Sequence, residues 1–426
     1  MFSIRAIIQA GTVPVMQLRY SFRLYPTRGQ QIALGRAFGC ARVVYNDAVR
    51  ARRTAHEQML PFPKIGDLSR ILITEAKKTP DRAWLSVVSA VVLQQSLRDA
   101  ESAYANFFAS LKGERKGPKL GEPSFKSRKD TKQSIRLTAN ARWKLTEAGR
   151  LSLPKIGEVK VKWSRTLPAV PSSVTVIKDS AGRYFASFVI DTDPAADLAR
   201  FETPDPNNQI GIDLGLKHFA ILSDGTKIEN PRFLRRAEKK LKKAQRSLDR
   251  KQKGSKNREK ARLKLARAHA AVADARREFH HQLSTRLIRE NQAIAVEDLA
   301  VKALARSRRT AKSVHDAGWS QFVSLLEYKA RRYGRTLIKI GRFVPTSQTC
   351  HVCDRKDGPK PLHIREWICP GCHTVHDRDI NSAINVKQAA GLGGHSLWSA
   401  DKTTTPVVAQ RRETGSHGLP DVTRAA

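Results

Sequence analysis

The sequence predicts a multidomain α+β protein, on three observations. Strand-like and helix-like apolar patterns occupy separate stretches of the chain. Three acidic residues, Asp213, Glu297 and Asp379, end or follow apolar segments that lie far apart. Between the second and third stands Cys350-x2-Cys353-x15-Cys369-x2-Cys372, the spacing of a tetrahedral zinc site. The length, 426 residues, suggests about three domains.

Residues 1–15 contain Gly11 and Pro14, carry Arg5 as their one charge and lack a small-residue cleavage site. They read as an upstream extension rather than a signal peptide. Leu18, Tyr20, Phe22 and Leu24 then alternate with Arg19, Ser21 and Arg23, the period of a half-buried strand, and Pro26 ends it. Residues 16–27 are therefore one strand of a sheet that resumes later. Helical spacing follows in Leu34, Phe38, Ala41, Tyr45 and Ala48. It recurs in Leu93, Leu97, Ala100, Tyr104, Phe107 or Phe108, and Leu111, so residues 28–120 form a helical module.

Within residues 121–207, Ile135 and Leu137, Val159, Val161 and Trp163, Val174 and Val176, and Tyr184–Ile190 mark short strands of an antiparallel sheet or barrel. The helical module is inserted after its first strand. Thr192–Asn208, with three prolines, reads as a linker. Residues 208–343 open with strands at Ile210–Asp213, Phe219–Leu222 and Lys227–Ile228, with Ser223-Asp-Gly225 as a turn. A basic helical hairpin follows over 231–290, turning at Gly254-Ser-Lys-Asn257. Strand Ala293–Val296, a helix with Trp319, Phe322, Leu326, Ala330 and Tyr333, and strand Thr336–Ile340 complete this stretch. The cysteine element occupies 344–375, a last helix lies within 376–390, and residues 391–426 are expected to be disordered.

Strands, a crossing helix, a further strand and a terminal helix, with acids on the first strand, a later strand and the last helix, outline an RNase H-like nuclease. Asp213 stands between Ile212 and Leu214 with Gly211 and Gly215 outside them, a costly place for a carboxylate unless something compensates it. Two magnesium ions (manganese is the alternative) need oxygen ligands, and no one segment can surround both. Glu297 and Asp298 are neighbours at a strand end and point to opposite faces, so pattern does not choose between them. Asp377 and Asp379 pose the same problem, because an aspartate before a helix is also a common N-cap. Four cysteines leave no open coordination position, so one zinc ion there would be structural. Trp367 and Arg365 either pack on the cysteine element or touch nucleic acid. His351, His363, His373 and His376 are competing ligands beside a thiolate set that is already complete.

Lysine and arginine number 78 against 39 acids, a net charge of +39 with a pI near 10.6. The counter-charge expected for such an excess is nucleic acid. From Arg232 to Phe279 alone there are nineteen Lys/Arg and five Asp/Glu, an excess of fourteen. No apolar stretch approaches the roughly 20 residues that span a bilayer, so no membrane partner is expected. Four of five cysteines sit in the zinc spacing, which suits a reducing, cytoplasmic compartment.

The chain resembles TnpB (OrfB-type) proteins of insertion sequences, the compact relatives of type V CRISPR effectors. The resemblance covers about residues 16–390. It rests on Tyr20-x-Phe-Arg-Leu-Tyr-Pro26, Arg42-Val-Val-Tyr-Asn46, Pro123-Ser-Phe-Lys126, Gly211-Ile-Asp-Leu-Gly215, Lys253-Gly-Ser-Lys-Asn257, Val296-Glu-Asp-Leu299, Asp316-Ala-Gly-Trp319, the cysteine pairs and His376-Asp-Arg-Asp-Ile-Asn381. It implies a RuvC nuclease domain split by the zinc element, with Asp213, Glu297 and Asp379 as its acids, and a β-barrel wedge domain carrying the helical insert. It also implies a guide RNA taken from the transposon end and cleavage of double-stranded DNA beside a short adjacent motif. Base pairing would then read the sequence while the protein holds backbones. One protein copy per RNA is the expected stoichiometry. The alternatives are an RNA-guided DNA-binding regulator without cleavage and a strand-transfer transposase. Asp354 and His373 stand where the family often has glycine after each cysteine pair.

Overall fold

In the computed structural model, residues 16–361, 363–393 and 405–406 are described. The expected N-terminal extension lies outside them, as does the expected disordered tail apart from residues 391–393 and 405–406. The chain divides into two compact units. One runs to Pro194 and takes Arg262–Arg267; the other takes Ala195–Ala261 and the chain from Ala268 onward.

In the first unit, strand β1 (Met16–Tyr25) buries Tyr20, Phe22 and Leu24 and turns Arg19 and Ser21 to solvent. Helix α1 (Arg28–Glu57) begins in a capping box. Gln30 N donates to the Thr27 hydroxyl, and Thr27 N donates to Gln30 Oε1. Helix α2 (Ile65–Ser69) is short, and α3 (Ala90–Leu111) packs on α1 through Leu93, Leu97, Ala100 and Tyr104. Phe107 packs against the same core, whereas Phe108 and Leu111 are exposed. Strands β2 (Gln133–Thr138), β3 (Lys144–Leu145), β4 (Arg150–Leu153), β5 (Gly157–Lys162), β6 (Ser173–Lys178) and β7 (Tyr184–Thr192) complete an antiparallel sheet of order β2-β6-β7-β1-β5-β4-β3.

Strand β1 thus lies mid-sheet between β7 and β5, and the helices leave from its end. The sheet is a half-barrel rather than a closed barrel, since among the described residues no pairing joins β2 to β3. Strand β3 is only two residues long, and helix α3 packs against β2, which shields an open ladder. Trp163 stacks on Phe188 and Phe22 packs tilted against both, in one core shared with both long helices.

The second unit starts with α4 (Pro194–Leu198), inside the stretch that reads as a linker. Asp197 is buried there and accepts from Arg332 Nε at 2.7 Å and Nη2 at 3.0 Å. A buried carboxylate is tolerated when paired in this way, and the pair pins the segment. Strands β8 (Gln209–Leu214), β9 (His218–Leu222) and β10 (Lys227–Glu229) run antiparallel. The basic hairpin is α5 (Phe233–Asp249) and α6 (Lys256–Glu290), with Gly254 at φ +85° in the turn, a conformation that favours glycine.

Strand β11 (Ala293–Glu297) pairs parallel with β8. Helices α7 (Val301–Leu304), α8 (Ala311–Ala317) and α9 (Trp319–Tyr333) lead to β12 (Thr336–Ile340), parallel to β11. A two-stranded hairpin, β13 (Glu366–Ile368) and β14 (Val375–Asp377), carries the second cysteine pair and feeds α10 (Arg378–Ala389). Strand β15 (Thr405–Pro406) pairs with β12, giving the order β10-β9-β8-β11-β12-β15. Asp316, in the Asp316-Ala-Gly-Trp319 motif, is buried and accepts from Leu234 N and Arg235 N, which secures the start of α5. Among the described residues no helix is long and apolar enough to cross a membrane.

Candidate metal centres

The four cysteines meet as their spacing predicts. Their Sγ atoms all lie within 4.8 Å of one another, with Cys350–Cys372 at 3.6 Å and Cys353–Cys369 at 3.5 Å. A tetrahedral zinc site with Zn–S bonds of about 2.3 Å has S···S edges of about 3.8 Å, so this donor set fits zinc. Burial pushes the Cys350 thiol up to about 12. Thr374, through its hydroxyl and backbone, holds Cys372 down at about 6. A bound cation offsets the cost of ionising the buried thiol.

His376 is buried with Nε2 3.1 Å from Cys350 Sγ, a neighbour of the thiol set rather than a fifth member. Trp367 is buried against the cysteines, under the Lys360 ammonium at 3.6 Å, so it belongs to the knuckle's core. Asp354 and His373 adopt φ +57° after each pair, the left-handed turn that glycine adopts without strain.

The acids come together through the sheet. Parallel pairing sets Val296 opposite Ile212, and one step further Glu297 comes level with Asp213. Helix α10 packs on β8 at Gly211, where an added Cβ would lie 2.2 Å from Ala383 O and 2.7 Å from Lys387 N. That glycine allows the approach of the helix that carries Asp379. Asp213, Glu297 and Asp379 are each half-buried. The Asp213 carboxyl is held well above the usual range. Desolvation is the largest cause, followed by the charges of Glu297 and Asp379, with Arg378 opposing. Glu297 is raised by burial and lowered by its hydrogen bond from Thr346.

The two ambiguous pairs separate in the structure. Asp298, half-buried like Glu297, pairs with Arg342 at 2.6 Å, whereas Glu297 Oε1 accepts from the Thr346 hydroxyl at 2.6 Å. Asp377 is the N-cap of α10, accepting from Asp379 N and Ile380 N at 3.0 Å, and Lys227 donates to it. The capping role therefore does not occupy Asp379, whose two oxygens instead lie 3.3 Å from Arg365 Nη1. Among the described residues the thiols alone are drawn tightly enough to hold an ion as they stand. The three carboxylates share a field.

Sequence reasoning missed Thr346 and the reach of Arg365 to Asp379. In the sequence only proximity to the cysteines marks Arg365, and nothing local marks Thr346.

The Cas12f1–sgRNA–target DNA complex matches with a TM-score of 0.50 at 14% identity, over 84% of this chain and 82% of that one, and so shares the fold. Residues 188–308 match the OrfB_IS605 model, described as "Probable transposase", and residues 319–386 match "Cas12f1-like, TNB domain". Residues 16–60 match the "Helix-turn-helix domain" of the same family, although here they form β1 and the long helix α1. A Streptomyces pristinaespiralis protein named "Putative RNA-guided DNA endonuclease" is 40% identical over 94% of this chain and 98% of its own length. InsQ of Escherichia coli K12, of the same description, is 28% identical over 89% of this chain and 92% of its own. The chain belongs to the TnpB-like OrfB family of IS605-type insertion sequences.

Proposed function

We propose that this protein is an RNA-guided double-stranded DNA endonuclease of an insertion sequence, with β8, β11 and α10 as the frame of a RuvC-like nuclease split by the cysteine element. The observation that carries the reading is the Asp213 carboxylate, set level with Glu297 and in the field of Asp379. Asp213, Glu297 and Asp379 would hold magnesium, and oxygen donors with surplus negative charge suit such a cation. When bound, magnesium would supply Lewis-acid polarisation of the phosphodiester and a water acidic enough to attack it. The chain's own residues prepare that site. Asp377 secures the start of α10, and Arg365 balances Asp379.

The first unit would be the wedge and recognition module, and the cysteine element a zinc-stapled knuckle. The guide RNA and target backbones would meet the chain's basic surfaces, including the α5–α6 hairpin, by phosphate contacts that weaken with salt. The test is cleavage of a guide-matched duplex with a randomised flanking motif, using the protein with its co-purified RNA. The parent should cut only with magnesium, and Asp213→Ala should not cut. Equal cleavage by Asp213→Ala would remove the acidic site from the reading.

A further inference from the structure

The acidic site and the cysteine element are joined by a buried polar chain that the proposed chemistry does not explain. After β12 the backbone runs through Thr346 and Thr349 to Cys350. One face of α10 grips this run with amides. Asn385 Nδ2 donates to Thr346 O and Thr349 O, both at 2.7 Å, and Asn381 Nδ2 donates to Thr349 O at 2.8 Å. Asn381 Oδ1 in turn accepts from His351 N at 3.0 Å. Both asparagines, both threonines and Ser382 are buried, with exposures from 0% to 5%.

Buried amide donors are costly unless satisfied, and these find their acceptors only on the loop, which fixes its height along the helix, while Asn385 Oδ1 has no partner. The result is a single direction for one hydroxyl. Ser382 Oγ donates to Thr346 Oγ1 at 3.0 Å, which leaves the Thr346 hydrogen for Glu297 Oε1 at 2.6 Å. A hydroxyl has one hydrogen to give, and a neighbouring donor decides where it goes.

We propose that Thr346 is a positioning residue of the acidic site, orienting the Glu297 carboxylate toward a divalent cation while the Asn381–Asn385 ladder and Ser382 orient Thr346. This rests on the reading of Asp213, Glu297 and Asp379 as cation ligands. With Oε1 held, the remaining oxygen of Glu297 is presented in one direction instead of several. Groups behind a ligand typically contribute 10–100-fold in metal affinity or activity. The loop that carries Thr346 also leads into Cys350, so the knuckle and the acidic site share one anchor.

The test uses the full-length protein with its co-purified RNA and no target DNA, titrated with Mn2+ and followed by electron paramagnetic resonance. Zinc content and cleavage rate are measured alongside. Thr346→Val keeps the shape and loses the hydroxyl, and should weaken Mn2+ binding by about 10–100-fold with zinc retained. Thr346→Ser restores the hydroxyl and should bind Mn2+ close to the parent. Parent-like Mn2+ affinity in Thr346→Val, or equal defects in the two variants, would overturn the assignment. If Thr346→Val loses zinc or melts early, Ser382→Ala carries the test, because it frees the hydroxyl without touching the loop. Weaker Mn2+ binding by Ser382→Ala then supports the assignment, and parent-like binding overturns it. Asp213→Asn separates the two levels. If it binds Mn2+ as the parent does, the acidic-site reading fails. If it binds weakly while Thr346→Val does not, only the role of Thr346 fails.

Discussion

Alanine at position 211 would set its Cβ 2.2 Å from Ala383 O, 2.7 Å from Lys387 N and 2.8 Å from Lys387 Cβ. Ordinary contact begins at 3.4 Å, so relief requires 3.4 − 2.2 = 1.2 Å of movement between β8 and α10. Two of the three obstacles are backbone, and no rotamer change removes them. Overpacking of this kind costs about 1–3 kcal/mol, and the upper end is expected where the backbone must yield. For a unit of this size that corresponds to a fall in Tm of roughly 6–12 °C. The same shift carries Asp379 away from Asp213, and about 1 Å of misplacement is enough for a loss near a hundredfold in rate.

Thermal unfolding and single-turnover cleavage of Gly211→Ala measure the two effects. Gly35→Ala is the control, since this exposed position in α1 has nothing within 4 Å of an added Cβ. There alanine should stabilise by about 0.5–1 kcal/mol. If Gly211→Ala melts with the parent and cuts at its rate, the close approach of α10 to β8 is not what builds the site.

Two further predictions concern the cysteines and a buried lysine. Replacing Cys350 and Cys353 by serine should abolish zinc retention and lower stability, and zinc found unchanged by mass spectrometry would overturn that site. Lys329 is buried with Nζ donating to His281 O, Ser284 Oγ and Thr285 Oγ1, and desolvation pulls it from 10.5 to about 8. In the folded state it therefore gives up its proton earlier than in the unfolded chain. The unfolded chain then binds more protons between about pH 8 and pH 10.5, and stability relative to Lys329→Met should rise with pH across that window. Denaturant midpoints measured across that range check it, and a flat or falling difference would refute it.

The residues that local pattern placed correctly share one property: their neighbours in sequence are also their neighbours in energy. The alternation from Leu18 to Leu24 marks β1, the stripe from Leu34 to Ala48 marks α1, and the two cysteine pairs mark the thiol cluster. Each is set by a backbone period or a short ligand spacing. The two units divide inside the stretch that reads as a linker, and what local pattern does not show there is the Asp197–Arg332 pair, whose members lie 135 residues apart. Local pattern leaves sheet or barrel open, because strand pairing at the ends of a sheet is decided by what else packs there.

The acidic residues are visible as carboxylates in apolar settings, but local pattern leaves the choice within each pair open, and in the sequence only the family resemblance implies it. Asp377 caps α10 and Asp298 pairs with Arg342. Those assignments follow from the chain's path and leave Glu297 and Asp379 beside Asp213. Sequence alone determined the elements, the charge, the thiol spacing and the family likeness, because these depend on composition and local period. The tertiary structure decided which oxygen faces which, that Gly211 admits α10, and that Thr346 meets Glu297, because those contacts join segments the chain order keeps apart.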